Sequence, residues 1–464
     1  MAAPRRATVQ GLGHFGGGAG AARFLAMEGW QVTVTDLQTE EQLADSIQTL
    51  SDLELRFVLG RHEPADFTDT DLVVANPAVC PGNEHLLAAR ARGVLVTTEI
   101  GMFLERCPAR IAAITGTQGK SSTAHFLHEL LRAANIPTRL GGNIGGSLLD
   151  ALPTLRHDEV CVLELSSYQL EHLHETPPNR GSKLELGIIT NLREDHLERH
   201  GTTDAYHAAK LELLSLLNQG APLLVGAGVV ERARSLAAAA AETLDIHETG
   251  SLVRIEGGRF TLRGEHLGET SAAAHLPGFQ HDNLLLALAA ARLLGAPAAL
   301  LAASLPTLHG LVHRLEDLGQ LAERRVYDNG VSTTPDSTQA ALRALSSDDS
   351  PLTLIAGGRA KSLPIDDLLA TAAAQARHVV LFGACAESWS ARFRDSNSPC
   401  EVTTTTTLAE AVRAAWSASA EGDTILFSPA AASFDAYDNF RQRAEDFRAC
   451  VRSQVRAAAA STTP

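Results

Sequence analysis

The feature that most constrains the fold is the stretch RIAAITGTQGKSSTAHFL at residues 110–127. Residues 111–115 are continuously apolar, as a short strand buried on both faces would be, and the residues after Lys120 favour helix. Between them Gly116 and Gly119 frame a tight turn that ends in Lys120, Ser121 and Ser122. Glycines let successive backbone N–H groups turn inward around an anion. A lysine at the start of the helix reaches the outer phosphates, and the serine beside it can ligate Mg²⁺. The common phosphate loop, G-x-x-x-x-G-K-[ST], is longer between its glycines than this one. The stretch is therefore either a shortened phosphate loop or an ordinary strand, turn and helix with a solvated lysine.

Length bounds the choice: 464 residues exceed what one core holds, so roughly two to four domains are expected. A composition of 45% hydrophobic and 20% charged residues is that of a globular protein, and a formal net charge of −15 argues against a nucleic-acid partner. The six cysteines, at 80, 107, 161, 385, 400 and 450, contain no C-x-x-C pair. Their scatter points to reduced thiols in a cytoplasm, without a disulfide framework or zinc site. No signal-peptide-like segment and no apolar run of about 18 residues occurs, so no membrane association is expected.

Along the chain, the pattern of strands ending in small residues and followed by helices recurs three times, which predicts α/β domains with mostly parallel sheets. Near the N-terminus a strand leads into GLGHFGGGAG, in which Gly11, Gly13 and Gly16 fit G-x-G-x-x-G. Asp36 ends the next strand, where such folds place an acid against a ribose or base edge. Taken alone this predicts a dinucleotide site, the alternative being glycines that only permit close helix–strand packing. Strands at 72–75 and 94–97 would complete a domain closing near Cys107.

After the phosphate loop, GGNIGGSLL opens a further Gly turn at 141–149, and 160–163 form a strand that delivers Glu164 at its C-terminal end. A carboxylate there, beside a phosphate loop, is a hard oxygen ligand suited to Mg²⁺; otherwise it is a solvated strand-end acid. The strand at 186–190 runs into Asn191, Asp195 and His196, a cluster with metal-ligand chemistry. Lys210 sits among small apolar residues and reads either as functional or as a lysine snorkelling from a helix. An alanine-rich helix is expected over 236–241, and a longer apolar-faced helix reaching about Leu294. In the last third, strands at 352–358 and 378–383 alternate with helices, the threonine run 403–407 reads as an edge or loop, and the C-terminal tail is expected to fray.

TGTQGKSS, GGNIG, LELSSYQLE, TNLREDHLERHG, HAAKL, VHRLE, IAGGRAKS and FSPAAASFDAYDNF follow one another over nearly the whole chain. In that order and spacing they resemble the Mur ligases, and most closely the branch that adds glutamate. The resemblance implies three α/β domains, each on a mostly parallel sheet: a Rossmann-like UDP-sugar-binding domain (1–106), a P-loop ATPase (107–310) and a Rossmann-like glutamate-binding domain (311–464). It implies a cytoplasmic, monomeric, ATP-dependent ligase of peptidoglycan precursor synthesis, joining D-glutamate to UDP-N-acetylmuramoyl-L-alanine through an acyl phosphate with two Mg²⁺. By the same resemblance, Lys120, Glu164, His196 and Lys210 are catalytic. Gly116, Thr117, Gly119, Lys120, Ser121, Ser122, Asn283 and Arg314 bind ATP. Gly13, His14, Phe15, Asp36, Asn76 and Asn143 hold the UDP-sugar, and Thr333, Lys361, Ser433 and Phe440 hold glutamate. Ser121, Glu164, His196 and a carbamylated Lys210 would ligate the metal ions.

Three departures from the family pattern stand out. Gln118 replaces the asparagine of the phosphate loop. GFQHDNLLL offers only Asn283 for contact with adenine. The third-domain loop DNGVSTTP has Asn329 and Val331 where the family carries an acid and a lysine. Alternative readings are a sister ligase that adds L-glutamate, a folate ligase of the same fold, an NAD-dependent oxidoreductase explaining only the first hundred residues, and a non-catalytic homologue.

Overall fold

The computed structural model of the chain describes residues 5–13, 16–144, 146–177, 184–226, 228–229, 242–246, 251–345, 350–360, 363–395 and 400–461. His14, Phe15 and Lys361, and the alanine-rich helix expected at 236–241, lie outside them. The chain divides into two compact units, one comprising 1–273 and 280–308, the other 274–279 and 309–464.

The first unit contains two parallel sheets. β1 (Arg6–Gln10), β2 (Gln31–Asp36), β3 (Arg56–Leu59), β4 (Leu72–Ala75) and β5 (Leu95–Thr97) lie in the order β3-β2-β1-β4-β5. The chain therefore starts at the middle of the sheet and winds outward to both sides, which opens a crevice at the C-terminal end of β1. β6 (Arg110–Thr115), β7 (Thr138–Gly142), β8 (Val160–Glu164), β9 (Leu184–Ile189), β10 (Leu223–Val225) and β11 (Thr243–Asp245) lie in the order β11-β10-β9-β6-β8-β7. Every residue of β8 is buried, as the unbroken apolar run requires of a central strand covered on both faces. Because β6 is flanked by β8 and β9, Ile114 pairs with Glu164 and Thr115 with Ile189. The three strand ends that carry the phosphate loop, Glu164 and the 190–196 segment are thus neighbours. An antiparallel meander of β12 (Val253–Glu256), β13 (Arg259–Leu262) and β14 (Glu265–Glu269) follows, and then the expected apolar helix, His281–Leu293.

The second unit has one six-stranded sheet: β15 (Glu316–Leu321), β16 (Arg324–Asp328), β17 (Leu352–Gly357), β18 (Ala376–Phe382), β19 (Glu401–Thr405) and β20 (Thr424–Phe427), in the order β15-β16-β20-β17-β18-β19. Only β15 is antiparallel to its neighbour. The two faces follow the strand period of two: Leu354 packs with Leu368 and Trp389 in one core, while Ile355 packs with Phe427 and Phe447 in the other. The threonine run forms the edge strand β19. The expected fraying tail is a helix, Phe440–Ser461, through Ser461, because Ala444, Phe447 and Val451 recur at helical spacing and bury against the sheet.

Helix starts differ in how they are capped, and several, such as those at Leu43, Gln280 and Ile365, carry no side-chain cap. Asn83, Thr98, Ser166, Thr202 and Thr407 each cap a helix by accepting a backbone N–H with their side chains. The helices Gly17–Met27 and Lys120–Ala133 start instead at Gly16 and Gly119, both at φ +83°, with no side-chain cap. First N–H groups left without a side-chain cap can be met by an anion.

In the first unit Ser147 Oγ, from the Gly-turn segment, donates to Glu99 Oε1 at 2.6 Å. Burial pushes the Glu99 carboxyl up to about 7, Asp150 pushes the same way, and the Ser147 hydrogen bond opposes both. Between about 4.5 and 7 the native chain holds a proton that the unfolded chain has lost, so stability falls as pH rises through that window. Glu99→Gln should remove this term. Its stability relative to the parent, from urea unfolding at a series of pH values, should rise by about 1–2 kcal/mol from about pH 5 to about pH 8.

Candidate active site

The phosphate loop is held from behind by the segment leaving β9. Thr117 N–H donates to Asn191 O (2.9 Å), Gln118 N–H to Asn191 Oδ1 (3.0 Å), and Asn191 Nδ2 to Gln118 O (3.0 Å). Arg193 N–H donates to Thr117 Oγ1 (3.0 Å), and Arg193 Nη1 reaches Gln118 Oε1 (3.2 Å). The departure at Gln118 therefore supplies an acceptor that ties the loop to Arg193. Lys120 Nζ folds back onto Thr117 O at 2.9 Å, a position from which a phosphate could draw it. Asn283 comes up against the loop from the helix His281–Leu293. A Cβ on Gly119 would lie 2.2 Å from Asn283 Oδ1, so only glycine fits there.

Glu164 is 1% exposed. Its Oε1 accepts from Asn143 Nδ2 (3.1 Å), and its Oε2 has no partner among the described residues. An isolated buried carboxylate oxygen is strongly unfavourable unless a cation meets it. Ser121, 7% exposed, stands one residue into the adjoining helix. Lys210 is 1% exposed, with Nζ 4.5 Å from the Tyr206 ring centre. Burial, and then the charge of Lys120, lower its amine to about 6, while Asp195 and Glu164 oppose the shift. At neutral pH it is chiefly a free amine.

His196 sits at φ +51°, with its N–H bonded to Asp195 Oδ1 (2.9 Å). Its Nδ1 is shared between Glu198 Oε1 (3.3 Å) and the Tyr168 hydroxyl (3.5 Å). Among the described residues no three His, Cys, Asp or Glu side chains converge as a ready-made metal cage. A cation here would draw on one carboxylate, a hydroxyl, water and phosphate oxygens. That suits Mg²⁺, which keeps several waters, and does not suit zinc.

At the crevice of the first sheet, Asp36 Oδ2 accepts from Leu12 N–H (2.8 Å) and Gly13 N–H (3.3 Å), and Oδ1 accepts from Gln38 N–H (2.9 Å). It thus holds the Gly-rich turn together, an engagement with its own loop that residue spacing did not disclose. Asn76 Nδ2 donates to Gly11 O (3.2 Å) beside it.

In the second unit Arg314 is half-buried between His313 (φ +62°) and Leu315 (φ +44°). Both left-handed residues are locked by the strand end that departs from the family pattern. His313 Nδ1 bonds Asp328 Oδ2 (2.7 Å), which also receives Arg448 Nε (2.7 Å), and Leu315 N–H donates to Asn329 Oδ1 (3.0 Å). Asn329 Nδ2 donates to Ser428 Oγ (2.9 Å), so the amide serves as donor and acceptor at once. Ser433 is buried near Arg443, a wholly buried guanidinium that donates to Ala432 O (3.1 Å). Thr333 lies in the loop after Asn329, and Phe440 opens the last helix.

The sequence patterns of three domains match in order: the Mur ligase MurD-like N-terminal domain at 5–98, the Mur ligase middle domain at 114–291, and the Mur ligase glutamate ligase domain at 313–431. The chain belongs to the Mur ligase family. A UDP-N-acetylmuramoylalanine–D-glutamate ligase of a Roseiflexus species is 36% identical over 97% of this chain and 99% of its own. One from Geobacter metallireducens is 34% identical over 94% and 95%. Among solved structures, the UDP-N-acetylmuramate–alanine ligase of Thermotoga maritima superposes with a TM-score of 0.60 at 17% identity, covering 97% of this chain and 99% of that one. MurF of Acinetobacter baumannii gives 0.60 at 15%, covering 96% and 93%. These two likenesses speak for the fold alone.

The Mur ligase family uses ATP. The NAD reading of the first glycine motif falls with the family assignment. Tyr168 and Arg199, which bracket His196, were not singled out from sequence. Tyr168 lies in LELSSYQLE four residues after Glu164, and only that proximity could have flagged it. Among the described residues no helix is long and apolar enough to cross a membrane, and all six thiols are free.

Glu164→Gln should leave the melting temperature in metal- and nucleotide-free buffer equal to or above the parent's, because an unpartnered buried charge is removed. The thermal stabilisation given by Mg²⁺ with a non-hydrolysable ATP analogue should fall by at least half, measured by differential scanning fluorimetry.

Proposed function

We propose that the protein joins D-glutamate to UDP-N-acetylmuramoyl-L-alanine, at the expense of ATP, as a step of peptidoglycan precursor synthesis. The observation that carries the reading is the uncapped helix start at Gly119 lying beside the orphaned oxygen of Glu164. Full-length relatives that bear this activity in their names supply the substrates.

The chemistry explains why phosphate is needed. A carboxylate is anionic and would have to expel oxide, so an amine does not displace it. Transfer of the γ-phosphoryl group onto the alanyl carboxylate gives an acyl phosphate. Attack by the glutamate amine then expels phosphate, leaving amide and ADP. Positioning and cationic charge carry such a reaction.

In this reading the N–H groups of 116–122 and Lys120 hold the β and γ phosphates, while Asn283, beside Gly119, meets the adenine end. Arg314 adds a second cation. Asp36 keeps the Gly-rich turn shaped for the uridine diphosphate, to which the family resemblance also assigns Gly13, His14, Phe15 and Asn76. Asn143, bonded to Glu164, faces the sugar-peptide end. Thr333, Lys361, Ser433 and Phe440 receive glutamate, and Asn329 preserves that loop by tying Leu315 to Ser428 in place of the family's acid.

We propose two Mg²⁺ ions, one held by Ser121 and Glu164, the other by His196 and Lys210 as its carbamate. Bound there, they would neutralise the transferring phosphoryl oxygens. The lowered Lys210 amine supports the carbamate: only the neutral form adds CO₂, releasing a proton and leaving an anionic oxygen ligand where an ammonium would repel the cation. We further propose that the enzyme works as a monomer in the cytoplasm, where its free thiols stay reduced.

The test is phosphate release with Mg²⁺-ATP and UDP-N-acetylmuramoyl-L-alanine, comparing the two enantiomers of glutamate. Release with D-glutamate at least 100-fold faster than with L-glutamate is expected. Preference for L-glutamate would assign the sister activity, and release with neither would mark a non-catalytic homologue. Lys120→Met should lower the D-glutamate rate by about 10²–10³-fold, in line with the loss of one positioned charge donor, while the melting temperature stays within a few degrees of the parent's.

A further inference from the structure

Arg199 lies in the four-residue helix Leu197–His200, directly after His196, yet its guanidinium is spent on the loop that leaves β4. Nη1 donates to Ala78 O (2.9 Å), and Nη2 donates to Val79 O (3.1 Å) and more weakly to Pro77 O (3.4 Å). On its other side, Nε and Nη2 both bond Glu171 Oε2, at 3.0 and 2.9 Å. The guanidinium centre lies 4.8 Å from the Tyr168 ring, and Tyr168 in turn touches His196 Nδ1. The side chain is 10% exposed, so solvent screens these bonds little. From the same helix as Glu171, His172 Nε2 donates to Val79 O at 2.7 Å.

Three successive backbone carbonyls are therefore gripped by one planar fork. The loop they belong to starts at Asn76, whose side chain reaches both the Gly-rich turn, through Gly11 O, and its own loop, through Ala78 N–H. On its other side the fork is anchored by Glu171, while Arg199 follows His196 by three residues and covers the Tyr168 ring that touches His196 Nδ1, which ties it to the segment clasping the phosphate loop through Asn191 and Arg193.

We infer that Arg199 is a positioning residue that couples the sugar-nucleotide loop at 76–80 to the cation and phosphate segment at 190–196, so that filling either site tightens the other. The inference rests on the function proposed above. Its physical basis is that an arginine fork satisfies several fixed acceptors together, which a lysine ammonium on a flexible stem does not. Coupling of this kind is reciprocal.

The experiment is calorimetric titration of the full-length protein with UDP-N-acetylmuramoyl-L-alanine, with and without Mg²⁺ and a non-hydrolysable ATP analogue, in the parent and in Arg199→Lys. In the parent the analogue should tighten sugar-nucleotide binding at least 5-fold. In Arg199→Lys that factor should fall below 2, with the affinity for the analogue alone changed less than 2-fold, a split that general loss of structure would not produce. Glu171→Gln, which keeps the arginine but removes its anchor, should give an intermediate factor and serves if Arg199→Lys does not fold. A parent that binds both ligands without coupling, or variants that keep the parent's factor, overturn the inference. A parent that binds neither ligand overturns the proposed function and this link with it.

Discussion

The constraint on which the rest depends is an unmet one: a buried parallel strand, β6, leads into a helix whose start has no side-chain cap, next to a buried carboxylate oxygen with no donor among the described residues. Each half alone would be a defect. An open helix N-terminus attracts anions and a buried carboxylate oxygen attracts cations, so the pair would suit a ligand that carries both, such as a metal–phosphate complex. The sheet order makes this possible, because β8 and β9 flank β6 and bring Glu164 and the 190–196 segment to opposite sides of one loop. Buried amine chemistry follows from the same place. Burial, and then the charge of Lys120, lower the Lys210 amine to about 6.

Three polar side chains at the other loops use their bonding capacity fully. Asp36 uses one oxygen on backbone N–H groups of the Gly-rich turn and the other on Gln38 N–H. Asn329 uses both ends of its amide, and Asp328 is shared by His313 and Arg448. These buried networks hold Gly13 and Arg314 in backbone positions that isolated loops would not keep. The substitution at 329 is thus a change in how a loop is fixed, with donor and acceptor both used, and the loop remains built. For Val331 the structure shows only a backbone bond to His313 O (3.2 Å) and no polar substitute for the lost lysine.

How much of this was legible follows from what each residue depends on. Lys120, Ser121 and Glu164 were readable because a strand end and a Gly turn are local, and their chemistry is written within a few residues. The parallel sheets were readable from apolar runs ending in small residues. Asp36 was readable as important, but its engagement with Leu12 and Gly13 requires knowing how the turn closes. Arg199 was not readable at all, since the carbonyls it grips stand 120 or more residues away and nothing in EDHLERHG marks one arginine as facing a distant loop. The C-terminal helix was under-read because its alanines looked like tail composition, whereas Ala444, Phe447 and Val451 already carried a helical stripe.

The central claim is that this site activates a carboxylate by phosphorylating it before the amine attacks. The most direct measurement is isotope transfer: UDP-N-acetylmuramoyl-L-alanine labelled with ¹⁸O in the alanyl carboxylate, turned over with ATP and D-glutamate, and the released phosphate analysed by mass spectrometry. The account predicts one ¹⁸O in each phosphate released, because the oxygen leaving the carboxylate departs on phosphorus. Unlabelled phosphate accompanying amide formation would contradict it, placing ATP cleavage apart from the bond being made.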